Sequence, residues 1–401
     1  MRKNFLMGAI MMLSCGGVVA GDLLCESFDS APLPKGWVFY KEPWKLGQAP
    51  NPKDNPAWGD DKFLIIAPDT RWNTPAFKCG PLKIERRKYY KMTFKSKAKS
   101  NKGYWGALFY DKDDKMLLAD IYATVYASPD WTDNTVMMRG REGNVSARGT
   151  FIAVDDPLML DDVKIAEVDE KAVAGFLDAL YKTMPPSAFK ASPDRWKRLP
   201  KTMERLEKGG PIRFVMLGDS IINDTTNSNY EVLLRRMYPK AEIEVVPSVR
   251  SGTGCWYYEK PENFQPYVID QKPDLLIIGG ISQGKVEPIR NVIKMTREKL
   301  PDCEYLVMTG PVGPELRKFE KDDPTKLVEA PAYKLDEYGE GLKKMSDEEQ
   351  VEYFDMAMPW HEYLAKSGKP FMWYHRDDVH ANDRGKEILG RLLEAYFAPK
   401  K

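Results

Sequence analysis

The sequence predicts an antiparallel β-sandwich followed by a three-layer α/β domain with a doubly wound parallel sheet. Three observations lead there. Up to about residue 168, short β-type runs alternate with Asp, Asn, Gly and Pro clusters, and no helical period is sustained. Beyond Gly210, apolar strands alternate with amphipathic helices, the rhythm of a parallel sheet between helix layers. The length of 401 residues exceeds one typical core, and 43% hydrophobic residues supply enough apolar material for more than one. The 60 Lys and Arg balance 59 Asp and Glu, so there is no electrostatic footprint for nucleic acid or an anionic membrane.

The elements follow in order. Arg2 and Lys3 precede an uncharged apolar run over residues 6–20, which ends in Val18, Val19 and Ala20. This reads as an export signal cut after Ala20 or Gly21, too short for a membrane span. Leu13 and Ser14 before Cys15 fit a lipidation site poorly, so a secreted or periplasmic protein is expected. Without residues 1–20, which carry two basic and no acidic side chains, 58 basic residues face 59 acidic ones, about −1. Four cysteines then remain. Cys25 with Cys79 and Cys255 with Cys303 could pair, or all four could be buried thiols.

The β-type runs of the first domain, residues 22–168, include 62–67 (KFLIIA), 89–97, 104–110, 135–139, 150–154 and 163–168. Six tryptophans fall here: Trp37, Trp44, Trp58, Trp72, Trp105 and Trp131. The opening Glu26-Ser27-Phe28-Asp29 and the closing Asp161-Asp162-Val163 resemble the ends of jelly-roll carbohydrate-binding modules. That resemblance implies sugar-stacking aromatics and a structural Ca²⁺ held by terminal acidic residues. The alternative is that the tryptophans are core and the acids are solvated turns.

Residues 169–210 read as a helical connector. Apolar positions recur at helical spacing over 172–184, Pro185 and Pro186 stop them, and a basic segment over 195–208 leads to Gly209-Gly210. After it come strands at 212–217, 242–249, 274–278, 304–308 and 370–374, with helices at 227–237, 286–299 and 383–397. The charged stretch 311–345 is expected as an excursion at the sheet's carboxyl edge, where such folds place ligands.

Two segments carry chemistry. The first predicted strand runs into Gly218-Asp219-Ser220, which places Ser220 at the carboxyl edge of the sheet. Gly218 permits a sharp turn, and nearby N–H groups can face an oxyanion. The second is Asp377-Asp378-Val379-His380 after the last predicted strand. A carboxylate three residues before a histidine can bond Nδ1–H, leaving Nε2 to face a hydroxyl. Asp377 has that spacing, whereas Asp378 reads as a turn residue. Of the other two histidines, His361 reads as a packed or surface residue, and His375 as a pocket-lining or substitute base.

Together these segments resemble the SGNH/GDSL hydrolases over residues 211–398. The resemblance implies Ser220 as nucleophile, His380 as base and Asp377 as its orienter. It implies an oxyanion hole from the Ser220 amide, a glycine after the second strand (Gly254 first, Gly252 second) and a residue after the third. Where the family has Asn in a Gly-x-Asn-Asp block, this chain reads Gly279-Gly280-Ile281-Ser282-Gln283, with Ser282 at the Asn position. A hydroxyl still donates one hydrogen bond. Asp219, Gly252, Trp256 and Gln283 are expected at the substrate-binding surface.

A rival lies in the same stretch. Gly280-Ile281-Ser282-Gln283-Gly284 fits a nucleophile elbow, which would make Ser282 the nucleophile of an α/β-hydrolase, although only two clear strands precede it. No zinc-type spacing or phosphate loop occurs, so no cofactor is required. The expected function is an exported serine esterase acting on O-acyl, above all O-acetyl, groups of a carbohydrate. The alternative is a glycan-binding or surface-interaction protein with an inactive hydrolase domain.

Overall fold

The computed structural model describes residues 22–26, 38–39, 64–66, 77–99, 103–141, 143, 145–153, 156–311, 314–320 and 324–400. The expected export signal, Cys15, Asp29, Trp37, Trp44, Trp58 and Trp72 lie outside the described residues, as do the side chains of Cys25 and Cys79.

Among the described residues ten strands form the first half: β1 (Asp22–Glu26), β2 (Val38–Phe39), β3 (Leu64–Ile66), β4 (Phe77–Lys83), β5 (Tyr89–Ala98), β6 (Gly103–Tyr110), β7 (Met116–Val125), β8 (Ser128–Arg139), β9 (Ser146–Ala153) and β10 (Leu158–Val168). They make two antiparallel sheets. One runs β1-β10-β5-β8 with β3 also on β10, and the other runs β2-β4-β9-β6-β7. The period-2 pattern of β5 turns Tyr90, Met92 and Phe94 inward. Phe94 meets Trp105 and Phe151 of the opposite sheet edge-on, at centroid separations of 4.6 and 5.4 Å. The sheets therefore face each other across one core. Trp105 belongs to that core, while Trp131 is half-buried beneath the Lys97 ammonium. Strand β6 is buried throughout. Trp105, Ala107 and Phe109 point into the sandwich, whereas Tyr104 points the other way, onto Arg376 of the second half.

Helices α1 (Glu170–Lys182) and α2 (Pro200–Lys208) come next. The second half runs β11 (Gly210–Gly218), α3 (Ser220–Thr226), α4 (Tyr230–Met237), β12 (Ala241–Val249), α5 (Cys255–Tyr258), α6 (Pro261–Phe264), β13 (Leu275–Ile278), α7 (Glu287–Lys299), β14 (Glu304–Met308), α8 (Pro314–Glu320), α9 (Glu337–Glu348), β15 (Glu352–Phe354), α10 (Ala357–Lys366) and α11 (Asp383–Phe397). Among the described residues its five strands are parallel, in the order β12-β11-β13-β14-β15. Alternation divides each central strand between two cores. Phe214, Met216, Leu275, Ile277, Leu306 and Met308 face the layer that holds α4, α10 and α11. Val215, Leu217, Leu276, Ile278, Tyr305 and Val307 face the layer of α5, α7 and α9. Strand order reverses at β11, so its carboxyl end opens into the crevice where such sheets bind ligands. Ser220 follows it directly.

Two expectations need correction, and for Cys255 and Cys303 the buried-thiol alternative holds. Residues 370–374 are not the last strand. They fold as a 3₁₀ turn, Phe371–Trp373, whose buried Phe371 and Tyr374 mimic a strand's apolar run. The fifth strand is β15, hidden in sequence by its three-residue length and by Glu352, whose buried carboxylate binds the Trp196 amide and the Tyr396 hydroxyl. The helix expected over 227–237 is α4 alone, entered through Asn229 in the left-handed region at φ 53°. Cys255 and Cys303 are free and buried, and burial pushes both thiols up, Cys303 to about 12.

Candidate active site

The site starts from a glycine. A Cβ on Gly218 would stand 2.5 Å from the Gly279 carbonyl oxygen, so only glycine lets β11 end this close to β13. Asp219 follows, buried, and caps α3 by accepting the Ile221 amide at 2.9 Å. Its other oxygen accepts the Ile281 and Ser282 amides, each at 2.7 Å. Gly280 has φ 96°, and a Cβ there would sit 2.4 Å from the Asp219 carboxylate. The loop after β13 is thus moulded around Asp219.

Ser220 occupies the first position of α3, where an amide has no intrahelical acceptor. Its Oγ lies 2.8 Å from His380 Nε2. His380 Nδ1 lies 2.8 and 3.0 Å from the two Asp377 oxygens. One of those oxygens also accepts the Val379 and His380 amides at 2.8 and 2.7 Å, closing the turn that carries both residues. Burial works against the charge on Asp377, but the His380 ring and the two amides outweigh it and hold the carboxyl down at about 2. The Asp377 carboxylate is therefore an ionised acceptor, which fixes His380 with Nδ1 protonated and Nε2 toward Ser220.

The other expected residues separate. Gly254 precedes α5 in extended backbone, and a Cβ there would strike the Ser282 carbonyl at 2.4 Å. Ser282 is half-buried. Its amide is held by Asp219, and its carbonyl accepts the Trp256 indole N–H at 3.0 Å. That bond pins Trp256, which stays 44% exposed. Gln283 is not at the surface. It is 2% exposed, donates to the Gly279 carbonyl at 2.7 Å and accepts the Cys255 amide at 2.8 Å, so its amide is consumed in joining two loops. Asp219 is likewise scaffold rather than substrate contact, because three amides occupy its carboxylate. Gly252 is exposed on the turn before α5.

His375 is no pocket residue. It is buried, stacked on Phe371 at 3.7 Å and edge-on to Trp360, with Nδ1 bonded to the Phe371 carbonyl. Burial pushes it down to about 4, the Phe371 bond offsetting part of that. His361 bonds the Pro331 carbonyl. Among the described residues no imidazole bonds Ser282, which leaves the rival elbow without a base.

Sequence reasoning missed Asp224. It lies four residues after Ser220, 2% exposed, with Arg376 Nη1 3.0 Å from both its oxygens and the Ala381 amide at 3.1 Å. An Asp one turn after the serine was its only signal. Six large apolar side chains are exposed among the described residues, and five follow the carboxyl ends of parallel strands. These are Trp256, Ile281, Phe319, Val328 and Met358.

No family model and no curated protein matches the chain. Solved structures do. The chain is similar to a two-domain esterase active on acetylated mannans, at 14% identity and a TM-score of 0.39, over 50% of this chain and 52% of that one. It thus spans about half the length of that esterase. It is also similar to an acetylxylan esterase from Geobacillus stearothermophilus, at 20% identity and a TM-score of 0.36, over 48% of this chain and 96% of that one. The CBM22-1 xylan-binding domain from Paenibacillus barcinonensis matches at 13% identity and a TM-score of 0.29, over 38% of this chain and 99% of that one. Among the described residues no helix is long and apolar enough to cross a membrane, and no three His, Cys, Asp or Glu side chains gather as a metal site.

Proposed function

We propose that this chain is an exported serine esterase of the SGNH/GDSL type that removes O-acyl groups, chiefly acetyl, from a carbohydrate. One observation carries the reading: the continuous Asp377–His380–Ser220 chain, with a 2.8 Å Nε2–Oγ contact. In the proposed cycle, Ser220 Oγ attacks the ester carbonyl while its proton passes to His380 Nε2. The tetrahedral oxyanion accepts from the Ser220 and Gly254 amides and the Ser282 hydroxyl. The bond from carbonyl carbon to sugar oxygen breaks, and that oxygen takes the proton from Nε2. Water, deprotonated by the same nitrogen, then releases the acyl group as carboxylate and restores Ser220. No step calls for a cofactor. The exposed Trp256, held beside Ser282, supplies flat apolar surface for a sugar ring or acyl chain.

The test is acetate release from acetylated polysaccharides and hydrolysis of a short-chain acyl ester by the purified protein. Ser220→Ala is expected to lose about 10³-fold or more. Equal turnover in the two proteins refutes the reading, and a loss confined to Ser282→Ala moves the nucleophile to the elbow.

A further inference from the structure

The Asp377–His380 turn is a short irregular segment, so its geometry comes from what packs against it. Arg376, just before it, is buried and bonded on three sides. Its guanidinium meets Asp224 of the nucleophile helix and the Ala381 carbonyl. Its amide donates to the His380 carbonyl at 3.0 Å. Its own carbonyl accepts the Tyr104 hydroxyl of strand β6 at 2.8 Å. Just after the turn, the Asp383 carboxylate accepts the Thr124 amide of β7 at 2.9 Å. The Arg384 guanidinium lies between the rings of Tyr126 and Trp373, 4.1 and 3.9 Å from their centroids. On the remaining side, Asp378 pairs with Arg317 of α8. The sandwich therefore grips the turn at both ends, while Asp224 ties it to the helix that presents Ser220.

We propose that the β-sandwich is a positioning part of the catalytic centre: through Tyr104, backed by Thr124, it clamps the Asp377–His380 turn against α3 and so sets the rate of the chemical step. The proposal rests on the esterase reading. A displacement of about 1 Å at a reacting pair costs on the order of 10²-fold in rate. Loss of one of two clamps on a turn is thus read in kcat rather than in substrate affinity.

Tyr104→Phe deletes one hydroxyl and keeps the buried ring. Its kcat on a small soluble acyl ester is expected to fall about tenfold with KM within twofold, and the rate of Ser220 labelling by a fluorophosphonate is expected to fall by the same factor. Arg86→Gln opens the same seam elsewhere, at the bidentate Arg86–Glu244 pair, and is expected to lower Tm with kcat unchanged. Wild-type kcat and labelling in Tyr104→Phe overturn the proposal, as does an equal kcat loss in Arg86→Gln, which would make the effect general loosening. Asp224→Asn combined with Tyr104→Phe is expected to lose less than the product of the single losses, since both act on one turn. Ser220→Ala separates the two levels. Labelling that survives it defeats the esterase reading, whereas labelling abolished there but normal in Tyr104→Phe defeats only the clamp.

Discussion

The Asp219 carboxylate accepts the Ser282 amide at 2.7 Å, tying the residue before the proposed nucleophile to a proposed oxyanion donor. The same carboxylate caps α3, so one buried side chain sets the spacing of two loops. Asn at this position keeps the volume but turns an N–H₂ toward backbone donors. Asp219→Asn is expected to lower stability by about 1–3 kcal/mol, the cost of buried donors left unpaired. It is also expected to cut kcat by about tenfold or more. Urea unfolding with steady-state kinetics checks both, and an unchanged kcat would show that the loop holds its place without Asp219.

Gly280→Ala attacks the same relationship from the opposite side. The added methyl must enter a left-handed backbone and the space filled by the Asp219 carboxylate. A fall in Tm and kcat together is expected. Gly284→Ala is the comparison: it has φ 65° but open space around its Cβ, and should cost stability through strain alone.

The expected parallel sheet and the Ser220, Asp377 and His380 candidates were legible because each is written locally. Continuous apolar runs, a Gly-Asp-Ser at a strand end and an Asp-x-x-His spacing need no knowledge of distant contacts. What stayed hidden depends on tertiary contact. β15 is three residues long and starts with a glutamate that is tolerated only because the connector and Tyr396 bond it. Phe371 and Tyr374 look like strand residues, yet their run is a 3₁₀ turn just before the Asp377–His380 segment. Gln283 read as a substrate-binding residue because nothing in sequence announces that the Gly279 carbonyl takes its N–H₂ and the Cys255 amide its oxygen. Asp224 and Arg376 lie 152 positions apart, a separation that no spacing rule spans.

Acid stability should divide between two residues. The Asp377 carboxyl drops from an ordinary 3.8 to about 2 on folding, burial opposing and the His380 and amide hydrogen bonds prevailing. A carboxyl lowered by folding stabilises above its unfolded value, and that stability fades as pH falls from about 4 through 2. The shift corresponds to about 2 kcal/mol. Asp377→Asn should match the wild type in its pH slope above pH 4 and lack the added slope below it. Guanidinium unfolding from pH 5 to pH 2 measures this, and identical slopes throughout would contradict it.

His375 acts in a higher window. Burial lowers it from 6.5 to about 4, so the folded state holds it neutral while the unfolded chain takes up a proton. Stability is complete above about pH 6.5 and declines as pH falls to 4, by about 3 kcal/mol at most. His375→Gln is expected to flatten unfolding free energy across that window while kcat at neutral pH stays within about threefold. Collapse of kcat at pH 7 would instead place His375 in the chemistry.

The seam between sandwich and parallel sheet rests on Arg139 of β8 and Glu231 of α4, whose side chains are 8% and 0% exposed. Tyr89 donates to the same Glu231 oxygen at 3.2 Å, and Arg139 also reaches the Val245 carbonyl on the edge strand β12. Taking away one member leaves a buried charge, so Glu231→Ala is expected to cost about 3–5 kcal/mol. Replacing both, as Arg139→Met with Glu231→Leu, removes the charge and its desolvation cost together. The double variant should recover most of the loss. A stable double variant is expected to keep full kcat. A double variant that is stable but slow would mean that the seam as a whole, not the Tyr104 contact, governs the rate.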